Sequence, residues 1–302
     1  DVRWYQFRIP VQGSHVTSIG GISDLRSVRF ARMFLKEFSE NTVFRFGTLD
    51  LVRSDWRRYR QALDKDTGKP EIDDPNTEFS VGVIGTLENE GSYVRPPGID
   101  PEELFNNNTV IQQNEQSLVV NVCELEPEDS RAVYKNISVD MRQYKRIRMF
   151  IHAEDDGASG FPDSEKLIGF IRMGNDLTEN YYQIEIPLVK SSKNANTPQE
   201  VWPEENEINL PIDILGKIKA QGISNMTLTN EDPTFYDVVN GDIVPVTDPF
   251  SGYVTEQHRV GIKGNPNFGD VRTLMIGVKN ADTDNVCAEV WFNELRLSDL
   301  DN

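Results

Sequence analysis

Val286-Cys287-Ala288-Glu289-Val290-Trp291-Phe292 puts Val286, Ala288, Val290 and Phe292 on one side of an extended chain and Cys287, Glu289 and Trp291 on the other. A period of two is the signature of a strand with one face in a core. Ile147-Arg148-Met149-Phe150-Ile151-His152 repeats it, with residues 147, 149 and 151 forming the apolar face. Each such face needs a second sheet opposite it. Elsewhere the apolar runs are short, rich in Val, Ile, Phe, Tyr and Thr, and separated by turn formers, as around residues 117 to 124 and 167 to 174. The class is all-β. From Gln116 to Ser298 there are roughly eight strand candidates, the first and last long and apolar, which suits a two-sheet jelly-roll β-sandwich. The terminal strands of such a sandwich lie side by side, setting Leu118 to Cys123 antiparallel to Val286 to Trp291. One short helix is expected over Ile208 to Ala220, where Leu210, Ile214, Leu215 and Ile218 share a side and Pro211 suits a first turn.

Working outward, Tyr181-Tyr182-Gln183-Ile184-Glu185-Ile186-Pro187-Leu188 matches Trp4-Tyr5-Gln6-Phe7-Arg8-Ile9-Pro10-Val11 at four of eight positions. Asp270-Val271-Arg272-Thr273-Leu274 matches Asp24-Leu25-Arg26-Ser27-Val28, and both copies run on to a Ser-Asp pair, Ser298-Asp299 and Ser54-Asp55. The order of the blocks is the same, with an insertion in the second copy at about 189–265. Residues 1–60 therefore read as the C-terminal part of a first sandwich unit, and residues 116–302 as a complete second unit. Between them, residues 61–115 form an acidic, Pro- and Gly-rich connector with one strand, near Phe79 to Ile84.

Of the 302 residues, 37% are hydrophobic and 26% charged, enough apolar material for a folded core. No stretch approaches the length of a membrane-crossing helix. Residues 1–60 hold 11 basic and 6 acidic side chains, 61–115 hold 3 and 12, and 116–302 hold 17 and 31. The net charge of −18 opposes association with nucleic acid. The N-terminal stretch has neither a basic segment nor an apolar one, so any export signal is expected upstream or already removed.

Candidate chemistry is sparse. The histidines His15, His152 and His258 show no zinc-type spacing, and no nucleophile elbow, phosphate loop or dinucleotide motif is present. His152 reads as a satisfied rim side chain. Cofactors are not expected, apart from a weak structural calcium candidate in Asp155, Asp156 and Asp163, where carboxylates cluster in a loop. A second acidic turn, Asp282 to Asn285, is what a hairpin carries anyway. Paired carboxylates for glycoside chemistry would have to come from Glu185, Glu289 and Glu294, whose spacing fixes no common site. Trp202 and Trp291, with Tyr181 and Tyr182, are the aromatics that a carbohydrate-binding module would expose, although strand aromatics more often pack inward. The Arg-rich run from Arg53 to Arg60 suits either an anionic partner or a solvated face. Cys123 and Cys287 fall opposite each other if the terminal strands pair. They form either one disulfide or two buried thiols acting as small apolar groups.

The phrases Ser27-Val28-Arg29-Phe30-Ala31-Arg32-Met33-Phe34-Leu35, Phe44-Arg45-Phe46-Gly47-Thr48-Leu49-Asp50-Leu51-Val52-Arg53, Tyr93-Val94-Arg95-Pro96-Pro97-Gly98-Ile99, Asn180 to Leu188 and Val290-Trp291-Phe292-Asn293-Glu294-Leu295-Arg296-Leu297-Ser298-Asp299 resemble those of the SprA (Sov) family. These are giant outer-membrane β-barrel translocons of Bacteroidetes type IX secretion and gliding motility. The resemblance runs in order through nearly the whole chain. It implies a soluble region inserted between barrel strands, because lipid-facing alternation and aromatic girdles are missing. It implies no catalytic residue. The implied role is non-enzymatic: a structural and gating domain enclosing the pore mouth at the cell surface, or on the periplasmic face. Its partners would be the rest of the barrel, other type IX components and exported cargo, with neither nucleic acid nor a membrane span of its own.

Overall fold

A computed structural model describes residues 9, 17, 19, 32–40, 42–47, 55–64, 67–70, 76–86, 93–99, 103–106, 109–112, 115–155, 161–163, 165–192 and 195–300. The chain forms two units, residues 1–53 and 54–302. In the first, the described side chains from Arg32 to Phe46 are exposed, and the Phe38 and Phe44 rings meet at 5.1 Å. The repeat block from Trp4 to Val11 lies, but for Ile9, outside the described residues.

The second unit is built from strands β1 (Arg57–Arg58), β2 (Glu78–Gly85), β3 (Glu103–Asn106), β4 (Thr109–Gln112), β5 (Gln116–Leu125), β6 (Ser130–Val139), β7 (Tyr144–Glu154), β8 (Leu167–Gly174) and β9 (Tyr181–Pro187). After a single helical turn α1 (Pro198–Val201) come β10 (Ile208–Pro211), helix α2 (Ile212–Ser224), β11 (Thr234–Val239), β12 (Asp242–Val246), β13 (Arg259–Lys263), β14 (Val271–Asn280) and β15 (Val286–Leu300). Eight strands form one sheet in the order β1-β6-β14-β8-β9-β13-β11-β12, and five form the other, β10-β7-β15-β5-β2. The pairings are antiparallel, with β3 and β4 a separate hairpin. The protein is an all-β sandwich.

Its core lies between the sheets. Leu118, Val120 and Val122 of β5, Ile147, Met149, Ile151 and Ala153 of β7, and Val286, Ala288, Val290 and Phe292 of β15 meet Ile171 and Met173 of β8, Tyr182, Ile184 and Ile186 of β9 and Leu274, Ile276 and Val278 of β14. These are the alternating faces read from the sequence. The terminal strands pair as expected, Leu118 opposite Phe292 and Leu125 opposite Val286. A register shift between Val286 and Ala288 brings the two cysteines together, and Cys123 and Cys287 are disulfide-bonded, their Cα atoms 3.9 Å apart.

Three expectations are revised. Eleven strands, β5 to β15, lie in residues 116–302, more than roughly eight, because the insertion contributes β10 to β13. The connector holds three strands rather than one: β2 pairs with β5 and so edges the five-stranded sheet, and β3 and β4 form their own hairpin. The expected helix over 208–220 begins only at Ile212, with Pro211 as its N-cap. Ile208 and Leu210 are drawn instead into register with Met149 and Ile147 of β7. Sheet pairing beats local period here because Ile208 and Leu210 are then fully buried beside β7. The helix still buries Ile214, Leu215 and Ile218, as its pattern requires.

Strand β10 ends the five-stranded sheet, and an edge strand presents unpaired donors. The outward N–H of Asn209 donates to Nε2 of His258 at 3.1 Å. Burial lowers the His258 pKa to about 4, with the Arg146 charge acting the same way. The imidazole is thus held neutral in the fold and titrates normally when unfolded. Its contribution is fully present above about pH 6.5 and is lost as pH falls toward 4. Between pH 7.5 and 4.5 the loss is about 2–3 kcal/mol. Urea unfolding of the protein and of His258→Gln at both pH values should show that difference in slope; parallel pH profiles would contradict it. The disulfide closes a loop between residues 164 apart. Cys123→Ser/Cys287→Ser is expected to lose up to about 5 kcal/mol in the chain-entropy model, and an unchanged urea midpoint would refute that.

Candidate functional site

Alternation that sends Val286, Ala288, Val290 and Phe292 into the core sends Cys287, Glu289, Trp291 and Asn293 to the outer face of the five-stranded sheet. β15 is the middle strand of that sheet, so its outward residues form a spine with neighbours on both sides. Glu289 stands opposite Asn121 of β5 and Glu154 of β7. Trp291 stands opposite Val119 and His152, and Asn293 opposite Phe150. After a bulge between Asn293 and Arg296, where Glu294 takes a positive φ of 53°, Arg296 stands opposite Arg148.

This face is roofed. Tyr93, Val201 and Trp202 pack on Val119, Phe150 and Trp291 as a second apolar cluster, joined by Ile84, Val94 and Ile99. The Trp202 indole N–H donates to the carbonyl of Val94 at 2.8 Å, tying α1 to the Tyr93–Ile99 segment. The His152 ring stacks on Trp291 at 4.0 Å, with its Nδ1 2.7 Å from the carbonyl oxygen of Val201. The Trp291 indole N–H donates to Glu289 Oε1 at 2.7 Å. Beside Trp291, the Tyr93 hydroxyl lies 2.8 Å from Ser117 Oγ and 3.1 Å from Glu115 Oε1, and Asn293 Nδ2 donates to both the tyrosine and the glutamate at 2.8 Å. Burial raises the pKa of both Tyr93 and Glu115.

At the Arg296 end the roof opens into a groove of about 680 Å³, lined by Pro97, Arg148, Phe150, Trp202, Glu205 and Arg296 among others. Arg148 is held by Glu207 at 2.5 Å, whereas Arg296 lies over the Phe150 ring at 5.4 Å. The outer face of the eight-stranded sheet is also covered. There Lys279 and Glu185, both fully buried, pair at 3.0 Å. The Tyr253 hydroxyl donates to Glu185 at 2.6 Å, Gln183 Nε2 donates to it at 2.6 Å, and Lys279 also donates to the carbonyl of Pro249 at 3.0 Å.

Several sequence candidates change meaning. Trp202 and Trp291 are 2% and 7% exposed, and Tyr181 and Tyr182 are buried too, so none is an open sugar-stacking platform. Trp291 lies beneath the roof and Trp202 is part of it, whereas Tyr182 of β9 faces the core between the sheets and Tyr181 lies under the Arg172 guanidinium. His152 is not on a rim; it is 1% exposed, beneath Val201. Asp155 pairs with Lys190 at 3.5 Å and Asp163 is exposed, while Asp156 lies outside the described residues. Among the described residues, the set of three ligand-type groups already within 4.8 Å of one another is Cys123, Glu124 and Cys287, whose sulfurs are spent in the disulfide. Glu185 and Glu289 sit on different sheets and share no cleft, and Glu294 sits at the bulge. The sequence assigns no packing or polar role to Tyr93, Glu115, Asn121, Asn293 or Lys279. Asn293 continues the outward alternation of Glu289 and Trp291, which was the available signal; Tyr93 sits in what reads as a turn.

The SprA_N family model, described as a motility related/secretion protein, matches residues 1–302. Comparison with curated proteins finds no match.

Because Trp291 fills the centre of the roofed layer, Trp291→Ala is expected to cost about 3–5 kcal/mol of stability, as large-to-small changes at packed aromatics do. Equilibrium urea unfolding checks this, and a loss below 1 kcal/mol would show the layer to be loosely packed.

Proposed function

This chain belongs to the SprA_N family of motility-related secretion proteins, and we propose that it acts as a non-enzymatic structural and gating domain of the type IX outer-membrane translocon, enclosing the pore mouth on the cell surface. The observation that carries this reading is the family match over the whole chain. Two physical features support it. Aromatic residues that might have bound a ligand are roofed and serve as packing, and the exterior is left to charge. The acidic surplus lies in residues 61–302, while residues 1–60 are net basic. No helix among the described residues is long and apolar enough to cross a membrane.

A wall of this kind works by not holding what passes it. Like-charge contact keeps encounters with acidic cargo brief, and cargo with basic patches meets only screened, salt-sensitive attraction. The partners in this reading are the remaining barrel, other components of the secretion apparatus and exported proteins.

The test measures affinity of the chain for domains exported by the same system, against ionic strength. Weak binding that fades with salt is expected for the native chain. Glu204→Lys/Glu205→Lys/Glu256→Lys, which reverses the charge of the groove rim, should tighten binding of acidic cargo by about tenfold at low salt and slow export in cells. Tight, salt-independent cargo binding by the native chain would overturn the proposal.

A further inference from the structure

Arg296 is an arginine without a counter-charge in a chain of net charge −18. Pairing of β15 with β7 sets it directly opposite Arg148, and like charges opposed across strands repel. Glu207 neutralises only one of the two: its Oε1 accepts from Arg148 Nε at 2.7 Å and from Nη2 at 2.5 Å. Arg296 is half-buried and lies over the Phe150 ring at 5.4 Å, and among the described residues its side chain makes no ion pair or hydrogen bond. A guanidinium that lies over a ring keeps the donor fork along its edge. Both arginines line the groove of about 680 Å³, so the free donors belong to an anion that enters there. The rim limits what kind of anion. Glu204, Glu205 and Glu256 line the same groove, and among the described residues their carboxylates have no ion-pair or hydrogen-bond partner. With Glu207 the lining carries four carboxylates against two guanidiniums, so a phosphate or a polyanion attracted by Arg296 is repelled by the rest. A ligand that bears one carboxylate and, a few bonds away, one cationic group is attracted at both places.

We propose that this groove binds a polypeptide segment in which an acidic side chain lies close in sequence to a basic one, the carboxylate taken by the guanidinium fork of Arg296 and the ammonium or guanidinium by Glu204, Glu205 and Glu256. A planar guanidinium matches a carboxylate through two parallel hydrogen bonds, which makes Arg296 selective for that group over a spherical anion. The groove has the volume of a site for a ligand of several residues, larger than a single ion or a free amino acid needs. Phe150 and Pro97 supply apolar wall for the aliphatic stems of the bound side chains. Glu204 and Glu256 are exposed, so the cationic end is held in high dielectric, weakly and with strong dependence on salt. Binding of this kind exchanges fast and is compatible with a surface that lets chains pass. The site stands on the groove alone and holds whether or not the protein lines a secretion pore.

The test titrates the full, isotope-labelled chain with a peptide blocked at both ends, acetyl-Ala-Ala-Glu-Ala-Lys-Ala-Ala-amide, and follows the Gly98 and Phe150 amide resonances together with the Arg296 Nε–H, assigned by its loss in Arg296→Lys. Saturable shifts at all three are expected at low salt. Arg296→Gln, which removes a charge-assisted bidentate contact, should weaken binding by about tenfold or more. Peptides with Gln in place of Glu, or Met in place of Lys, should bind the native chain more weakly. Glu204→Gln/Glu205→Gln/Glu256→Gln should weaken the Lys-bearing peptide while tightening the Met-bearing one, because the same carboxylates attract the lysine and repel the peptide's glutamate. Should Arg296→Gln fail to fold, the Gln-for-Glu peptide on the native chain carries the comparison. Absence of a saturable shift, equal affinity for all three peptides, or inorganic phosphate binding as tightly as the mixed-charge peptide would overturn the proposal.

Discussion

Strand β15 is paired on both sides, to β5 and to β7, and nearly everything else in the second unit depends on that arrangement. Its alternation divides the molecule. One side supplies Val286, Ala288, Val290 and Phe292 to the space between the sheets, and the other supplies the spine on which the roof is laid. A one-residue slip would exchange the two sets, placing Glu289 and Trp291 against β9 and β14. Such a slip is opposed from both ends. The disulfide fixes β15 against β5 near its start, and the bulge after Asn293 re-aims the strand so that Leu297 meets Ile147 while Arg296 still faces outward.

Each sheet is covered on its outer face as well as its inner one, and the two covers are built differently. Over the five-stranded sheet the roof is aromatic, Trp202 and Tyr93 closing around Trp291 and His152, with the Trp202 N–H and His152 Nδ1 bonded to backbone carbonyls and the Tyr93 hydroxyl to neighbouring side chains. Over the eight-stranded sheet it is ionic, centred on Lys279 and Glu185. A buried ion pair adds little net stability against an apolar pair of the same volume, but loss of one partner is costly because a charge is then stranded. The pair therefore makes the loop that bears Pro249 and Tyr253 specific to one position. Lys279 also lies 4.3 Å from the Phe250 ring centre, so the ammonium is held by an aromatic face as well as by oxygen.

The inner architecture was legible in the sequence because it rests on period two and on the pairing of the first and last long strands. Ile147 to His152 and Val286 to Phe292 each show which side goes inward, and the structure agrees. What was not legible depends on segments distant in sequence with no period of their own. Residues 93–99 read as turn formers, yet Tyr93 and Val94 complete the roof. Ile208 to Pro211 reads as the first turn of a helix, yet edge pairing with β7 claims it. Inward packing was the favoured reading of Trp291 and the structure agrees, but what covers it was not legible, because nothing in the local sequence shows that α1 folds back over the sheet.

The closed aromatic layer also bears on what kind of molecule this is. A sandwich that recognises a ligand through aromatics leaves their faces open and spends polar groups at the rim to orient what binds. Here the rings face each other and their N–H groups are consumed internally, so recognition through them would require lifting a packed layer. The sequence carries 49 acidic against 31 basic residues, a net charge of −18, and charge acts over a Debye length without choosing a particular partner geometry. Recognition through these rings is closed off by the same alternation in β15 that builds the core.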